Sequence, residues 1–84
     1  MDRNNLQGER DLYEHAINQW ILGRNGERDR LIMQMYLFDG ITYSRMLDRL
    51  GEIAERTKDP TYGIGEDQLK KVIRKRKEEL FRHI

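Results

Sequence analysis

Hydrophobic residues recur at helical spacing in the first half of the chain. From Leu12 to Ile21 the apolar side chains are separated by one, three or four residues, which is the pattern of one helical face. Acidic residues precede this stretch from Glu9 onward, where they favour the positive end of a helix dipole. The pattern predicts a helix that begins at Glu9 and is broken by Gly23-Arg24-Asn25-Gly26. Residues 1–8 are polar and end in a glycine, so we expect a flexible terminus there.

Two further helices are predicted in the middle of the chain. The first covers about residues 27–38 and stops at Asp39-Gly40. Thr42 is the predicted N-cap of the next helix, and Gly51 either interrupts that helix or is tolerated within it at about 1 kcal/mol relative to alanine. The apolar positions of these two helices are Leu31, Ile32, Met35, Tyr36 and Phe38, followed by Tyr43, Met46, Leu47, Leu50, Ile53 and Ala54.

The last third of the chain predicts a loop followed by a fourth helix. Residues 57–65 contain the only proline and two glycines, and Glu66-Asp67 then open the helix. Its buried side is predicted to consist of Leu69, Val72, Ile73, Leu80 and the aliphatic stem of Arg76. Because no segment alternates convincingly between apolar and polar residues, we predict an all-α fold, a small four-helix domain over residues 9–84.

Composition sets limits on the class of protein. A chain of 84 residues forms one domain and buries only about 60% of its unfolded surface. It contains no cysteine, which fits a reducing compartment, and neither a secretory signal nor an apolar run of about 18 residues is visible. We therefore expect a cytoplasmic protein without a membrane segment.

Charge is distributed unevenly along the chain. Residues 69–84 hold seven Lys or Arg and two acidic residues, whereas residues 1–68 hold nine basic and thirteen acidic residues. The formal net charge of +1 therefore conceals a basic C-terminal helix. This polarity is typical of a protein that meets a polyanion with one face, and nucleic acid is the commonest such partner.

The candidate binding residues lie on the polar face of this last helix. At 100° per residue, the side opposite Leu69, Ile73 and Leu80 consists of Asp67, Gln68, Lys71, Arg74, Lys75 and Glu78, and Lys70 and Lys77 lie at one flank. Gln and Arg side chains match adenine and guanine edges, and Lys contacts phosphates. The alternative interpretation is a solvated face that only keeps a small domain soluble.

Two runs of residues carry a resemblance to a known family. Gly40-Ile41-Thr42-Tyr43, followed by Met46-Leu47 and Leu50-Gly51, resembles the first half of the helix-turn-helix in region 4 of the sigma-70 family. The run from Tyr62 to Glu66, with Leu69, Ile73, Arg74, Arg76 and Leu80, is similar to the turn and recognition helix of that family. Glu27-Arg28-Asp29-Arg30 and Tyr36-Leu37-Phe38-Asp39-Gly40 resemble its preceding helix, so the likeness covers roughly residues 12–82.

The resemblance implies a helix-turn-helix at about residues 42–82. This chain departs from the family pattern by an extra segment of about eleven residues, 52–62, which we interpret as an extension of the third helix plus a longer loop. Eighty-four residues cannot also hold the promoter-melting domain of a complete sigma factor. The resemblance therefore implies a stand-alone regulator, as found in bacteriophages and other mobile elements, with double-stranded DNA and RNA polymerase as partners.

Several other residues have a structural and a functional interpretation. Trp20 is predicted to be a core residue, as are Tyr13, Tyr36 and Tyr43, and Tyr62 is predicted to pack under the last helix rather than to stack near a phosphate. The four methionines, Met33 and Met35 among them, are interpreted as residues that fill gaps in a small core. The alternative is that Met33 and Leu37, which lie off the main stripe, form a dimer or partner contact with Leu6. His15 and His83 have no helical partner at the i+4 spacing that metal sites use, and no glycine-rich nucleotide-binding loop is present. Each carboxylate lies among basic residues on a polar face and not among apolar residues. We therefore expect no metal, no cofactor and no enzymatic activity.

Two functional hypotheses follow. The first is a sequence-specific DNA-binding transcriptional regulator, in which Lys70, Lys71, Lys75 and Lys77 hold phosphates and Gln68, Lys71 and Arg74 read base edges. A homodimer is expected from this function alone, because a helix-turn-helix usually gains specificity by pairing two half-sites. The alternative is a protein-interaction module that docks on RNA polymerase or on a phage packaging complex.

Overall fold

Four α-helices make up most of the protein. The computed structural model describes the backbone of residues 2–83 and the side chains of residues 8 and 10–83. The helices are α1 (Asp2–Trp20), α2 (Gly26–Gln34), α3 (Tyr43–Thr57) and α4 (Glu66–His83). The chain is 83% helical, and the described backbone contains no strand. The predicted all-α, four-helix fold is confirmed.

The first helix differs from its prediction in two respects. It begins at Asp2 rather than Glu9; the flexibility expected of residues 1–8 stays a prediction, since nearly all their side chains lie outside the described residues. Among its described side chains Ala16 and Ile17 are buried, as is Ile21 just after the helix, whereas Leu12 is 50% exposed. The prediction that Leu12 belongs to the buried face of this helix is therefore wrong.

Trp20 is not the core residue that its position predicted. The side chain lies at the edge of the buried face of α1 and is 38% exposed. Its indole ring stacks on the imidazole of His83, with ring centroids 3.9 Å apart and planes 7° from parallel. The last turn of α4 therefore meets Trp20 from the side, because the interior at this end is already occupied by Ile17 and Ile21.

The second helix ends close to its predicted position, in a wider turn. After Gln34 the chain continues through a π-helical turn, Met35–Asp39, which is closed by a hydrogen bond from the Gly40 amide to the Met35 carbonyl (3.1 Å). Gly40 adopts a φ of 60°, the left-handed region in which a glycine is unstrained. The predicted stop at Asp39-Gly40 is confirmed.

The third helix begins and ends with identifiable caps. The Thr42 hydroxyl accepts a hydrogen bond from the Arg45 amide (3.3 Å), which confirms the predicted N-cap. The helix continues to Thr57 and is terminated by Lys58, the one non-glycine residue with a positive φ in the described backbone (60°). A short 3₁₀ turn, Pro60–Tyr62, then leads towards α4, so residues 52–62 form the predicted helical extension and longer loop.

The core lies where all four helices meet. Its fully buried side chains include Ile17, Ile21, Ile32, Met33, Met35, Met46, Leu50, Leu69 and Leu80. Met33 had two interpretations, as a residue that fills a gap in the core and, with Leu37 and Leu6, as a dimer or partner contact. The core interpretation is confirmed, because Met33 is 0% exposed. The contact interpretation is wrong for Met33, and Leu37 is partly buried against the core; Leu6 lies outside the described side chains. The short α2 is covered on more than one side, so a residue off its main stripe is still buried.

Candidate nucleic-acid interface

The position of α4 is fixed by its buried face. Leu69, Ile73 and Leu80 are buried, Val72 packs against them, and α4 contacts each of the other three helices. Arg76 lies on this face and is only 9% exposed. All five residues predicted to line the buried side are confirmed, so the opposite face of α4 points away from the core.

The six predicted binding residues fall into two groups around α4. Gln68, Lys71, Arg74 and Lys75 are exposed on the outward face. Within residues 10–83, no salt bridge involves Lys71, Arg74 or Lys75. These cations therefore remain available to an external anion.

Lys70 and Lys77 form the second group, on a flank lined by aromatic rings. The Lys70 Nζ lies 5.9 Å from the Tyr43 ring centroid and 4.0 Å from a Glu66 carboxylate oxygen. The Lys77 Nζ lies 5.8 Å from the Tyr36 ring centroid, and Lys77 is partly buried. Cation–π contacts of this kind hold a lysine near the protein surface with about 0.5–1 kcal/mol. The structure therefore brings Gln68, Lys71, Arg74 and Lys75 together and sets Lys70 and Lys77 apart.

A buried ion network holds α4 against α2. One Asp29 carboxylate oxygen accepts a hydrogen bond from the Arg28 Nε (2.9 Å), and the other accepts one from the Arg76 Nε (2.8 Å). The Arg76 guanidinium also donates to Glu79 (2.7 Å). Burial alone would lower the pKa of Arg76, but the hydrogen bonds to Glu79 and Asp29 outweigh it and raise that pKa. Arg76 therefore stays charged inside the fold.

The same two arginines connect the network to the loops. Arg28 donates to the Thr61 carbonyl (2.9 Å), which lies in the connection between α3 and α4. Arg76 donates to the Leu22 carbonyl (3.2 Å) in the connection between α1 and α2. Through Arg28 and Arg76, Asp29 is thus linked to the α3–α4 connection and to the α1–α2 connection.

The burial of Arg28 and Asp29 was not predicted from the sequence, which assigned every carboxylate to a polar face. Asp29 is 4% exposed and Arg28 is 5% exposed. A signal was present, because the two residues lie one helical turn before the buried Ile32 and Met33. Charged residues on an apolar stripe indicate a buried ion pair, since an isolated buried charge is too costly to retain.

A concave surface lies between α4 and the α1–α2 connection, and we call it the basic cleft. Its volume is about 390 Å³. Five of its lining residues are cationic and one is acidic. The lining is Leu22, Gly23, Arg24, Asn25, Arg28 and Asp29 on one side and Gln68, Lys71, Val72, Lys75 and Arg76 on the other. Three of the predicted binding residues thus border this cleft.

A second concave surface, the mixed cleft, lies between α2, α3 and the 3₁₀ turn. Its volume is about 430 Å³, and it is lined by Glu27, Leu31, Ile53, Arg56, Thr57, Asp59 and Tyr62. Hydrogen bonds from the Thr61 hydroxyl and amide lower the pKa of Asp59, and burial raises the pKa of Tyr62. Tyr62 packs against the core, and its predicted packing under the last helix stays a prediction. No residue of α4 lines this cleft.

Neither a metal centre nor a membrane span is found in the described part of the chain. No group of three or more His, Asp or Glu side chains there is placed to hold a metal ion, and none of its helices has the length and apolar character needed to cross a bilayer. No protein-family model matches this sequence, and comparisons with curated proteins and solved structures gave no significant match.

Proposed function

We propose that this protein is a sequence-specific DNA-binding transcriptional regulator that places α4 in the major groove. The observation that carries the proposal is the outward face of α4, where Gln68, Lys71, Arg74 and Lys75 are exposed while the opposite face is held by three helices. A rigid helix with a free polar face is what groove recognition requires. The likeness of residues 12–82 to sigma-70 region 4 supports the same function.

We assign two roles in DNA binding to these side chains, according to their chemistry. Gln68, Lys71 and Arg74 read base edges, because amide, ammonium and guanidinium groups pair with groups that differ between base pairs. Lys70, Lys71, Lys75 and Lys77 hold phosphates. Lys70 and Lys77 reach the backbone from the aromatic flank by swinging away from the Tyr43 and Tyr36 rings, at the cost of a weak cation–π contact.

The connection between α3 and α4 is the turn of the proposed helix-turn-helix. It covers residues 58–65 and is held to the core by the Arg28 hydrogen bond to Thr61. A turn of this length is compatible with groove binding if it is fixed, and the buried Arg28 provides that constraint. The proposed motif therefore uses a longer turn than region 4 and stabilises it from α2.

The test is binding to labelled random-sequence duplex DNA, measured by fluorescence anisotropy across about 50–300 mM salt. We expect a steep dependence of log affinity on log salt, which Lys71→Ala reduces by about one because a phosphate contact is lost, and we expect Arg74→Ala to weaken binding. Arg56→Ala is the matched control, because Arg56 is exposed but lines the mixed cleft. If Lys71→Ala and Arg74→Ala fold normally yet keep the wild-type affinity and slope, the outward face of α4 is not the DNA-binding face.

A second candidate function is docking on RNA polymerase, with a phage packaging complex as the other target of the same class. The observation that favours it is a set of large apolar side chains left exposed on or beside α1 and α4. These are Leu12, Trp20, Leu22 and Phe81, which are 50%, 38%, 59% and 47% exposed. Met33 is buried and therefore is not part of this exposed apolar set.

Purified bacterial RNA polymerase, treated with nuclease, separates the two functions. Complex formation measured by analytical size exclusion, and lost in Leu22→Ser, would support docking. DNA binding by the protein together with no complex at micromolar polymerase would contradict it. Arg45→Ser is the matched control, because Arg45 is an exposed residue of α3 outside this apolar set.

A further inference from the structure

We propose that the basic cleft is a phosphate site which, in the DNA complex, holds one backbone phosphodiester beside α4. The proposal rests on the proposed DNA-binding function and adds a contact from outside the helix-turn-helix. Arg24 belongs to the α1–α2 connection, yet it lines the same cleft as Lys71 and Lys75 of α4. An anion in the cleft would be held from two separate segments of the chain.

The charge of the cleft is not balanced by the protein. Asp29 is its only acidic lining residue, and both carboxylate oxygens already accept hydrogen bonds from Arg28 and Arg76. Arg24, Lys71 and Lys75 are exposed, and no salt bridge within residues 10–83 involves them. Three uncompensated cations around one concavity focus a positive potential, which an anion relieves.

The cleft is also lined by neutral donors. Asn25 precedes the first residue of α2, lines the cleft, and its side chain makes no capping hydrogen bond. Gln68 lines the opposite wall. Amide N–H groups beside arginine and lysine are the set of donors that phosphate oxygens accept from.

The occupant is assigned to DNA because the cleft and the outward face of α4 share residues. Gln68, Lys71 and Lys75 belong to both. A duplex whose groove receives α4 therefore brings a phosphate to the side on which Arg24 lies. The mixed cleft provides the internal contrast, since it has a similar volume but two acidic residues and one arginine.

The decisive comparison is between Arg24→Ala and Arg56→Ala in the anisotropy assay. We expect Arg24→Ala to weaken duplex binding severalfold and to reduce the salt slope by about one, as a lost phosphate contact does. Arg56→Ala should match the wild type. Both arginines are exposed and make no salt bridge in the described part of the chain, so both variants should fold, which far-UV circular dichroism verifies.

The outcomes separate this inference from the function on which it rests. Duplex binding by the wild type with an unchanged slope in Arg24→Ala would overturn the phosphate site and leave the DNA-binding function standing. Absence of wild-type binding at about 50 mM salt would overturn both.

Titration with inorganic phosphate at constant ionic strength tests whether the cleft binds a phosphate of the DNA backbone or a free phosphorylated ligand. We expect saturable amide shifts at Gly23, Arg24 and Asn25 in ¹H–¹⁵N spectra, absent in Arg24→Ala and displaced by duplex DNA. Phosphate shifts that persist when the duplex binds would assign the cleft to a free phosphorylated ligand and overturn the DNA assignment. Shifts spread evenly over exposed lysines would mean that the cleft is no site.

Discussion

The two clefts have almost the same volume and are built in different ways. The lining of the basic cleft includes a buried ion network, in which Asp29 accepts hydrogen bonds from Arg28 and Arg76, together with exposed cations. The mixed cleft is bordered by an exposed local turn, in which Asp59 accepts two hydrogen bonds from Thr61, and by the partly buried Leu31 and Ile53. The same helix, α2, contributes to both walls.

The difference between the clefts teaches that size is a poor guide to function in a small domain. Burying charged groups carries a desolvation free energy, and a chain of 84 residues has only a modest free energy of unfolding. Such a network is retained most readily where the position of a surface matters. The basic cleft is the one whose floor fixes α4, so changes there should have larger effects than changes at the mixed cleft.

The largest expected effect comes from removing the charge at the centre of the network. Asp29→Asn keeps the shape of the side chain but leaves Arg28 buried without a counter-ion and leaves Arg76 with Glu79 alone. Breaking a buried pair in this way costs about 3–5 kcal/mol, a large part of the stability of a small domain. Urea unfolding followed by circular dichroism measures the loss.

Asp48→Asn is the control for that experiment. Asp48 is exposed on α3, and the same substitution there should change the free energy of unfolding by about 0.5 kcal/mol or less. A cost for Asp29→Asn that is no greater than for Asp48→Asn would mean that the network does not hold the basic cleft together.

The next largest effect is expected in the core of α2, the helix that separates the clefts. Met33→Ala should destabilise the protein by about 2–5 kcal/mol, because a fully buried side chain leaves a cavity. Thermal unfolding is the measurement, with Leu12→Ala as the control, since Leu12 is half exposed. A small loss of stability in Met33→Ala, accompanied by a change in oligomeric state, would support the alternative interpretation of Met33 as a dimer contact.

Between Thr57 and Asp59, two residues that line the mixed cleft, one substitution should stabilise the protein. Lys58 ends α3 with a φ of 60°, a conformation that costs a non-glycine residue about 1 kcal/mol or more. Lys58→Gly should therefore raise the melting temperature by a few degrees. Lys58→Ala removes the same side chain but keeps the strain, so stabilisation by both variants would contradict this explanation.

The smallest effect is expected at Asp59, and it should depend on pH. Because the Thr61 hydrogen bonds lower the pKa of Asp59, its contribution is present above the ordinary value of 3.8 and is lost as pH falls through the folded-state pKa. Asp59→Asn retains an acceptor but does not titrate. The wild type should therefore melt slightly above Asp59→Asn at pH 6, and the difference should shrink below about pH 4. A difference that is constant with pH would show that the charge is not responsible.

Much of the fold could be predicted because its signals are local. Helical periodicity located the four helices, Thr42 and Gly40 marked two ends, and Arg76 was placed on the buried face of α4. Each of these depends on residues within one or two turns, where propensity and capping decide the outcome.

The features that were missed depend on which helices meet. Burial of Arg28 and Asp29 requires Arg76, which lies 47 residues from Asp29 in sequence, and the exposure of Trp20 follows from how the end of α4 approaches α1. The basic cleft is likewise formed by two segments that are distant in the chain. The basic face of α4 was predicted from its spacing, whereas the DNA-binding roles of its residues stay predictions.

The stack between Trp20 and His83 has a practical consequence. Trp20 is the only tryptophan of the chain, and its partner is the last described residue of α4. Its fluorescence therefore reports directly on whether the C-terminal end of that helix remains against α1. The protein carries a native optical probe of the helix proposed to enter the groove, positioned at the end remote from Gln68 and requiring no chemical label.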